Sequence, residues 1–233
     1  MDRLPTAADF NARRVTNPAQ SEIIRQRFYD YQLYATAGTT QLAFFQSPIG
    51  SGITTALGGT VGAAKTAWDT NLELGGTLPS GKAFMIESIE VLYFPGSVST
   101  ASTYTPASPV IFNATPAAAL SAQLSDVNTF YQSGLLELNI LSKNYLRETP
   151  LIAFPPKTSF NLDAAFGTGA TSTNAAANMR AAGRPYYIDP TISLQPAVNF
   201  EVLLKFPSAV ATPSGFNARI GVILDGYFMR ASQ

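Results

Sequence analysis

The chain has 233 residues, of which 46% are hydrophobic and 13% charged, and its 15 Lys and Arg balance 15 Asp and Glu. Because it contains neither His nor Cys, a Ser-His-Asp triad, a thiolate nucleophile, a Cys/His zinc site and a disulfide framework are excluded. With no net charge, no overall field steers the protein to nucleic acid or to a membrane. We expect neither a cofactor nor a bound metal.

The first 27 residues differ from the rest of the chain and are predicted to form an N-terminal arm. Asn17 has the form of a helix cap, with Pro18 at the first helical position and Gln20 three residues after the cap, which predicts a short helix over residues 17–27. The start of the chain lacks the apolar segment of a secretory signal, so synthesis in a cytoplasm is expected. Five arginines of the arm are expected to contact a neighbouring subunit, or the phosphates of nucleic acid or lipid. They are Arg3, Arg13, Arg14, Arg25 and Arg27.

From residue 28 onward, apolar and polar residues alternate with a period of two, which is typical of strands with one buried face. The alternation slips near Ser88, which indicates a bulge. Strands do not alternate with helices as in βαβ units, so an antiparallel β-sandwich of about nine strands is predicted. The predicted strands are residues 29–33, 41–44, 83–94, 136–140, 151–154, 159–162, 198–206 and 220–228, with a weaker one at 68–74.

Two helices are predicted among these strands. Thr115 and Pro116 form a helix start, and apolar residues then recur at helical spacing as far as Tyr131. An Ala-rich stretch, residues 173–182, precedes Gly183 and predicts a second short helix.

The connections are long and lack charge. Residues 47–66, 95–114 and 164–197 are rich in Gly, Ala, Ser, Thr and Pro, and no charged residue occurs from Tyr31 to Ala64 or from Val91 to Ser125. Irregular loops of this length usually bind something or are disordered. Since charge depletion is expected at the core of an interface, we favour burial against neighbouring copies over flexible, Ser/Thr-solvated loops.

Two further sets of residues are candidates for a site. Tyr186 and Tyr187 could stack on a sugar or a base, or anchor the 164–197 loop, and anchoring is the favoured interpretation. A two-carboxylate glycosidase needs two acids that converge, and Glu87 and Glu90 reach one face only if a bulge occurs at Ser88. The other carboxylates considered are Asp163, Asp189, Glu201 and Asp225.

Two stretches carry a resemblance to a known family. Residues 150–162 predict a strand broken at a corner by Pro155 and Pro156 and then resumed, and residues 219–230 predict a terminal strand after a long loop. With the strand at 198–206, this part of the chain resembles the second half of a viral jelly roll, as in capsid proteins of icosahedral, tailless phages. The resemblance implies a shell subunit with two four-stranded sheets, assembly into trimers or pseudo-hexamers, and an N-terminal arm on the interior.

We therefore expect an all-β protein: an antiparallel jelly-roll sandwich of about eight to nine strands with long loops, one or two short helices, an arm at residues 1–27 and a jelly-roll domain at residues 28–233. The expected function is a structural, non-enzymatic capsid subunit of a virion, made in the host cytoplasm. Its expected partners are copies of itself, other capsid proteins, and a genome or internal lipid layer touched by the arm, with no small-molecule substrate. A sugar-binding adhesin or a tail- or spike-associated protein is the first alternative, and a two-carboxylate glycosidase is the second.

Overall fold

The computed structural model describes residues 21–56, 60, 62–96, 116–166, 173–180 and 183–231. None of the helices in this part of the chain combines the length and apolar character needed to cross a membrane. In chain order the elements are β1 (Ser21–Tyr34), β2 (Gln41–Phe44), β3 (Lys82–Phe94), α1 (Pro116–Ser133), β4 (Leu135–Ile140), β5 (Lys143–Pro150), a 3-10 turn (Leu151–Ala153), β6 (Ser159–Phe166), β7 (Thr173–Arg180), β8 (Tyr186–Leu194), β9 (Phe200–Lys205) and β10 (Ala218–Ala231).

Two antiparallel four-stranded sheets pack against each other. The first has the order β1-β10-β3-β8 and the second the order β2-β9-β4-β5, while β6 and β7 form a separate two-stranded sheet. Buried side chains of both sheets belong to one apolar cluster, with Ile86 and Val222 from the first sheet and Leu138 and Val202 from the second. The protein is therefore an all-β sandwich, as the alternating pattern predicted.

Aromatic rings fill the part of the core below β1. The ring of Phe28 stacks on that of Phe45 at 5.2 Å between centroids and lies 5.9 Å from the rings of both Phe84 and Phe200. These residues come from β1, β3, β9 and the position that directly follows β2, so the rings join both sheets. Each large ring also removes much apolar surface from water.

The described residues between 45 and 81, which we call the covering segment, close the outer edge of β1. The N–H of Tyr31 donates to the carbonyl of Asp69 at 2.8 Å, and the N–H of Tyr29 donates to Oδ1 of Asn71 at 3.0 Å. Unpaired backbone groups on an edge strand can template pairing with another chain. The covering segment satisfies several of these groups, so this edge is closed to strand addition.

A buried ion pair fastens the covering segment to β1. Nζ of Lys65 lies 2.6 Å from Oδ1 of Asp30, and both side chains are almost completely buried, at 1% and 0% exposed. The N–H of Phe45 donates to the other carboxylate oxygen of Asp30 at 2.8 Å. Burial raises the pKa of Asp30 above its usual value, against the opposing effect of the Lys65 charge. Through these two contacts, the Asp30 carboxylate joins three separate positions of the chain: Asp30 of β1, Phe45 and Lys65.

Two predicted helices are strands in the structure. Residues 21–27 belong to β1, which pairs with β10 over its whole length from Ser21 opposite Ala231, so the helix predicted over residues 17–27 is wrong for its described part. Residues 173–180 form β7, which pairs with β6. In both places, pairing with another strand, β10 for residues 21–27 and the preceding β6 for residues 173–180, outweighs the local helix signal, because propensity is a weak preference that tertiary contacts override.

Other predictions need smaller corrections. The strand predicted at 151–154 is a 3-10 turn, and the weak strand at 68–74 makes only isolated bridges at Thr70 and Leu74. The 164–197 stretch, predicted as a loop, contains β7 and β8, and β5 was not predicted. Helix α1 and the bulge near Ser88 are confirmed.

We predict that Lys65→Met lowers the free energy of unfolding by about 3–5 kcal/mol, because it leaves the Asp30 carboxylate buried without its cation. The double variant Asp30→Asn/Lys65→Met should recover part of this loss, since neither side chain is then charged. Urea unfolding of the two variants and the parent protein measures both effects. An unchanged unfolding midpoint in Lys65→Met would show that the ion pair does not hold the covering segment.

Candidate functional site

The arginines expected in the arm fall into two groups. Arg3, Arg13 and Arg14 lie outside the described residues, whereas Arg25 and Arg27 lie on β1 within the sandwich. Being two residues apart on one strand, Arg25 and Arg27 project from the same face of the sheet. Their side chains are about half exposed, and both form ion pairs with carboxylates of β3 and β10.

These two arginines belong to a charged cluster on the outer face of the first sheet. Asp225 lies at its centre: Oδ2 is 3.4 Å from Nη2 of Arg25, 3.8 Å from Nε of Arg27 and 3.7 Å from Nζ of Lys157. Three cations thus face three carboxylates. The members of the charged cluster are Arg25, Arg27, Lys157, Glu87, Glu90 and Asp225.

The bulge in β3 brings Glu87 and Glu90 to one face. Ile86 pairs with Gly226 and Ser88 pairs with Asp225, so Glu87 is the extra residue between them. Glu87 then reaches Arg25 at 3.4 Å, while Glu90 reaches Arg27 at 3.8 Å. A regular strand would place these two glutamates on opposite faces, so the alignment of the three carboxylates depends on the bulge.

The burial of the charged cluster favours a structural role over a catalytic one. The side chains of Glu90 and Asp225 are only 4% and 5% exposed, which leaves little access for a glycosidic bond. Oε2 of Glu90 accepts the N–H of Lys157 at 2.6 Å, and Oε1 has no hydrogen bond within the described part of the chain. Within the same residues, no group of three or more acids is placed to hold a metal ion.

A groove runs along the open side of the sandwich, between β8 of the first sheet and β5 of the second. Its volume is about 710 Å³. Tyr186 packs inward, with its ring 4.8 Å from that of Phe154. Tyr187, the next residue, points the other way and is 62% exposed. Tyr145 of β5, which is 48% exposed, lines the opposite wall and had no signal in the sequence because β5 was not predicted.

The covering segment carries an uncharged surface, which we define as the described residues of 46–72. Its only charged residues are Lys65 and Asp69, and both are buried, at 2% and 0% exposed. Trp68, the only tryptophan of the chain, is 79% exposed, and Ile49 and Ile53 are each 49% exposed. The sequence shows that residues 46–64 carry no charge. That Lys65 and Asp69 face inward depends on the groups they pair with in the folded chain, which the sequence did not indicate.

Asp69 holds the uncharged surface together through hydroxyl and amide donors. Its carboxylate accepts from Oγ1 of Thr54 at 2.6 Å, from the N–H of Thr55 at 2.7 Å and from the N–H of Thr66 at 3.1 Å. Burial by itself raises the pKa of Asp69, but these hydrogen bonds together outweigh burial, and the pKa is lowered.

Arg219 of β10 fixes the uncharged surface to the first sheet. Its Nη2 donates to the carbonyl of Trp68 at 2.8 Å and its Nε donates to Oγ1 of Thr55 at 3.0 Å. The guanidinium also lies over the ring of Tyr31, with 3.8 Å to the centroid, a favourable cation–π contact. The backbone around Trp68 is therefore anchored while its side chain faces outward.

Three surfaces thus stand out: the charged cluster, the groove and the uncharged surface. Comparisons with protein-family models, with curated proteins and with solved structures gave no significant match. Function must accordingly be argued from the chemistry of these surfaces.

We predict that the free energy of unfolding depends on pH through the Asp69 carboxylate. Because its folded-state pKa lies below the ordinary value of 3.8, Asp69 stabilises the fold above that value, and this contribution is lost as the pH falls through the lowered pKa. Asp69→Asn should reduce the free energy of unfolding at pH 7 by about 2–3 kcal/mol. Urea unfolding from pH 7 to pH 3 should show the difference from the parent protein shrinking below about pH 5. A constant difference would contradict the assignment.

Proposed function

We propose that the protein is a structural subunit that assembles with copies of itself into a shell, as jelly-roll capsid proteins of icosahedral phages do. The observation that carries this proposal is the uncharged surface, which exposes Trp68 while both of its charged side chains are buried. Under this proposal the protein is located in a virion.

The pairing of the strands supports a jelly roll. A jelly roll arises when one long antiparallel hairpin is rolled into a double-sheet sandwich of eight strands. With the β6–β7 hairpin set aside, the first of the remaining eight strands pairs with the last, the second with the seventh, the third with the sixth and the fourth with the fifth. These pairs are β1 with β10, β2 with β9, β3 with β8 and β4 with β5.

The fold class alone does not select a function, because lectins and cupins also use jelly rolls. The uncharged surface supports assembly among these functions. Exposed apolar patches mark interaction sites, and interface cores are poor in charge and rich in aromatic residues. Burying Trp68 and its surroundings against a neighbour desolvates no exposed charge of residues 46–72, because Lys65 and Asp69 already face inward.

A second copy of the chain is the partner that this surface fits best. The protein has no net charge, so copies do not repel one another through a net field. A stable interface buries about 800 Å² on each partner, and one tryptophan supplies on the order of 200 Å² of that area. Other capsid proteins are the further partners under the same proposal.

The arm belongs to this proposal in a shortened form. Arg25 and Arg27 are engaged in the charged cluster, so the contacts proposed for the arm now rest on residues 1–20 with Arg3, Arg13 and Arg14. These residues would reach a neighbouring subunit, a genome or a lipid layer from the interior of the shell.

Assembly of the purified full chain tests the proposal. We expect trimers or larger assemblies by light scattering and negative-stain microscopy, and Trp68→Ser should weaken association about 30-fold or more, as loss of an interface hot spot worth about 2 kcal/mol does. Because the Trp68 side chain is exposed, the variant should keep the parent thermal unfolding midpoint. Leu124→Ser, which removes an exposed apolar side chain on α1 (61% exposed), is the matched control and should assemble normally.

Two results would contradict the proposal: a parent protein that stays monomeric at high concentration, or a Trp68→Ser variant that assembles like the parent.

Two truncations separate the arm from the sandwich. Removing residues 1–20 should impair assembly and leave the unfolding transition unchanged. Removing residues 1–27 should also destabilise the fold, since it deletes half of β1 together with Arg25 and Arg27. Light scattering and urea unfolding measure the two effects. Unchanged assembly after removal of residues 1–20 would exclude the arm from the mechanism.

A further inference from the structure

The groove between β5 and β8 has the size of a ligand site and takes no part in the proposed assembly. Its volume of about 710 Å³ lies within the range of roughly 300–1,000 Å³ that is usual for small-molecule sites. It lies along β8 and β5, at the edges of the two sheets opposite to those formed by β1 and β2. It is therefore separate from the covering segment and from the uncharged surface.

The strands that border the groove are poorly suited to adding a further strand. In β8, residues 188–191 fall in the register shift with β3, and Pro190 has no N–H to donate. On the other side, β5 carries Lys143 and Arg147 and ends at Pro150. Bulges, prolines and charges of this kind protect edges against strand addition. The groove consequently offers side chains, rather than a backbone edge, to an occupant.

Those side chains combine exposed aromatic rings with a few polar groups. Tyr187 and Tyr145 line opposite walls, and both are exposed. Asp189 lies two residues after Tyr187 on the same strand, a separation of about 7 Å along a strand that is comparable to one pyranose ring. Gln195 adds an amide at the end of the row. Aromatic faces pack on the C–H face of a sugar, while carboxylate and amide groups bind its hydroxyls.

The charge of the lining decides between a sugar and a nucleic acid base. Among the described residues that line the groove there is no Lys or Arg, and the single charged residue is Asp189. Nucleic acid binding depends on cations that neutralise phosphates, and an acidic sugar would likewise meet the Asp189 carboxylate. We propose that this groove binds a neutral saccharide, with Tyr187 and Tyr145 as stacking platforms and Asp189 and Gln195 as hydrogen-bonding groups.

Binding of defined oligosaccharides to the full chain tests this proposal. The probes are maltohexaose, cellohexaose, mannohexaose, xylohexaose and chitohexaose, titrated up to millimolar concentration by calorimetry, with a ten-residue oligothymidylate as the anionic comparison. We expect at least one neutral saccharide to bind and the oligothymidylate not to bind. Tyr187→Ala should weaken the saccharide at least about tenfold, whereas Tyr187→Phe, which keeps the ring, should stay within about threefold.

Trp68→Ser is the control that separates the two proposals, since it removes an exposed aromatic side chain far from the groove lining. It should bind saccharide like the parent protein, and Tyr187→Ala should assemble like the parent protein. Binding of none of the saccharides, equal binding by Tyr187→Ala, or binding of the oligothymidylate alone would overturn the saccharide site and would leave the assembly result unaffected.

Discussion

The buried ion pair between Lys65 and Asp30 determines how the covering segment lies on the sandwich. Two charges with 1% and 0% of their side-chain surface exposed can be accommodated only if they meet each other and their remaining hydrogen bonds are satisfied. The covering segment is therefore held against β1. This placement closes the edge of the first sheet and turns the uncharged surface toward solvent.

The edges of the two sheets account for both proposed surfaces. On one side of the sandwich the covering segment pairs with β1, and its outer side exposes Trp68 to solvent. On the other side, β5 and β8 leave a groove and are protected by bulges, prolines and charges. The edge strands of a sandwich have to be protected against pairing with another chain. Here one edge is covered and the other carries bulges, prolines and charges, which leaves one surface suited to association and another suited to a small ligand.

The charged cluster illustrates how strand pairing changes the meaning of a basic sequence. Arg25 and Arg27 stand in an arginine-bearing segment and suggested contact with phosphate or with a neighbouring subunit. Pairing of β1 with β10 places Asp225 within 3.4 and 3.8 Å of them, and the bulge in β3 adds Glu87 and Glu90. The positive charge of these two arginines is therefore balanced within the sheet.

The sequence by itself determined the sandwich, the position of α1 and the bulge near Ser88, because alternation records which side chains of a strand face the core. It did not determine β8, nor that residues 21–27 belong to a strand, since both depend on a partner strand far away along the chain. It did not determine β5 or β7 either, because their own residues lack an alternating pattern and they become strands by pairing with the strand just before them. The inward direction of Lys65 depends on Asp30, 35 residues earlier, and the placement of Tyr145 and Tyr187 in one groove depends on how the two sheets stack. Local sequence can specify which residues are apolar, but only the folded chain decides which distant groups share a surface.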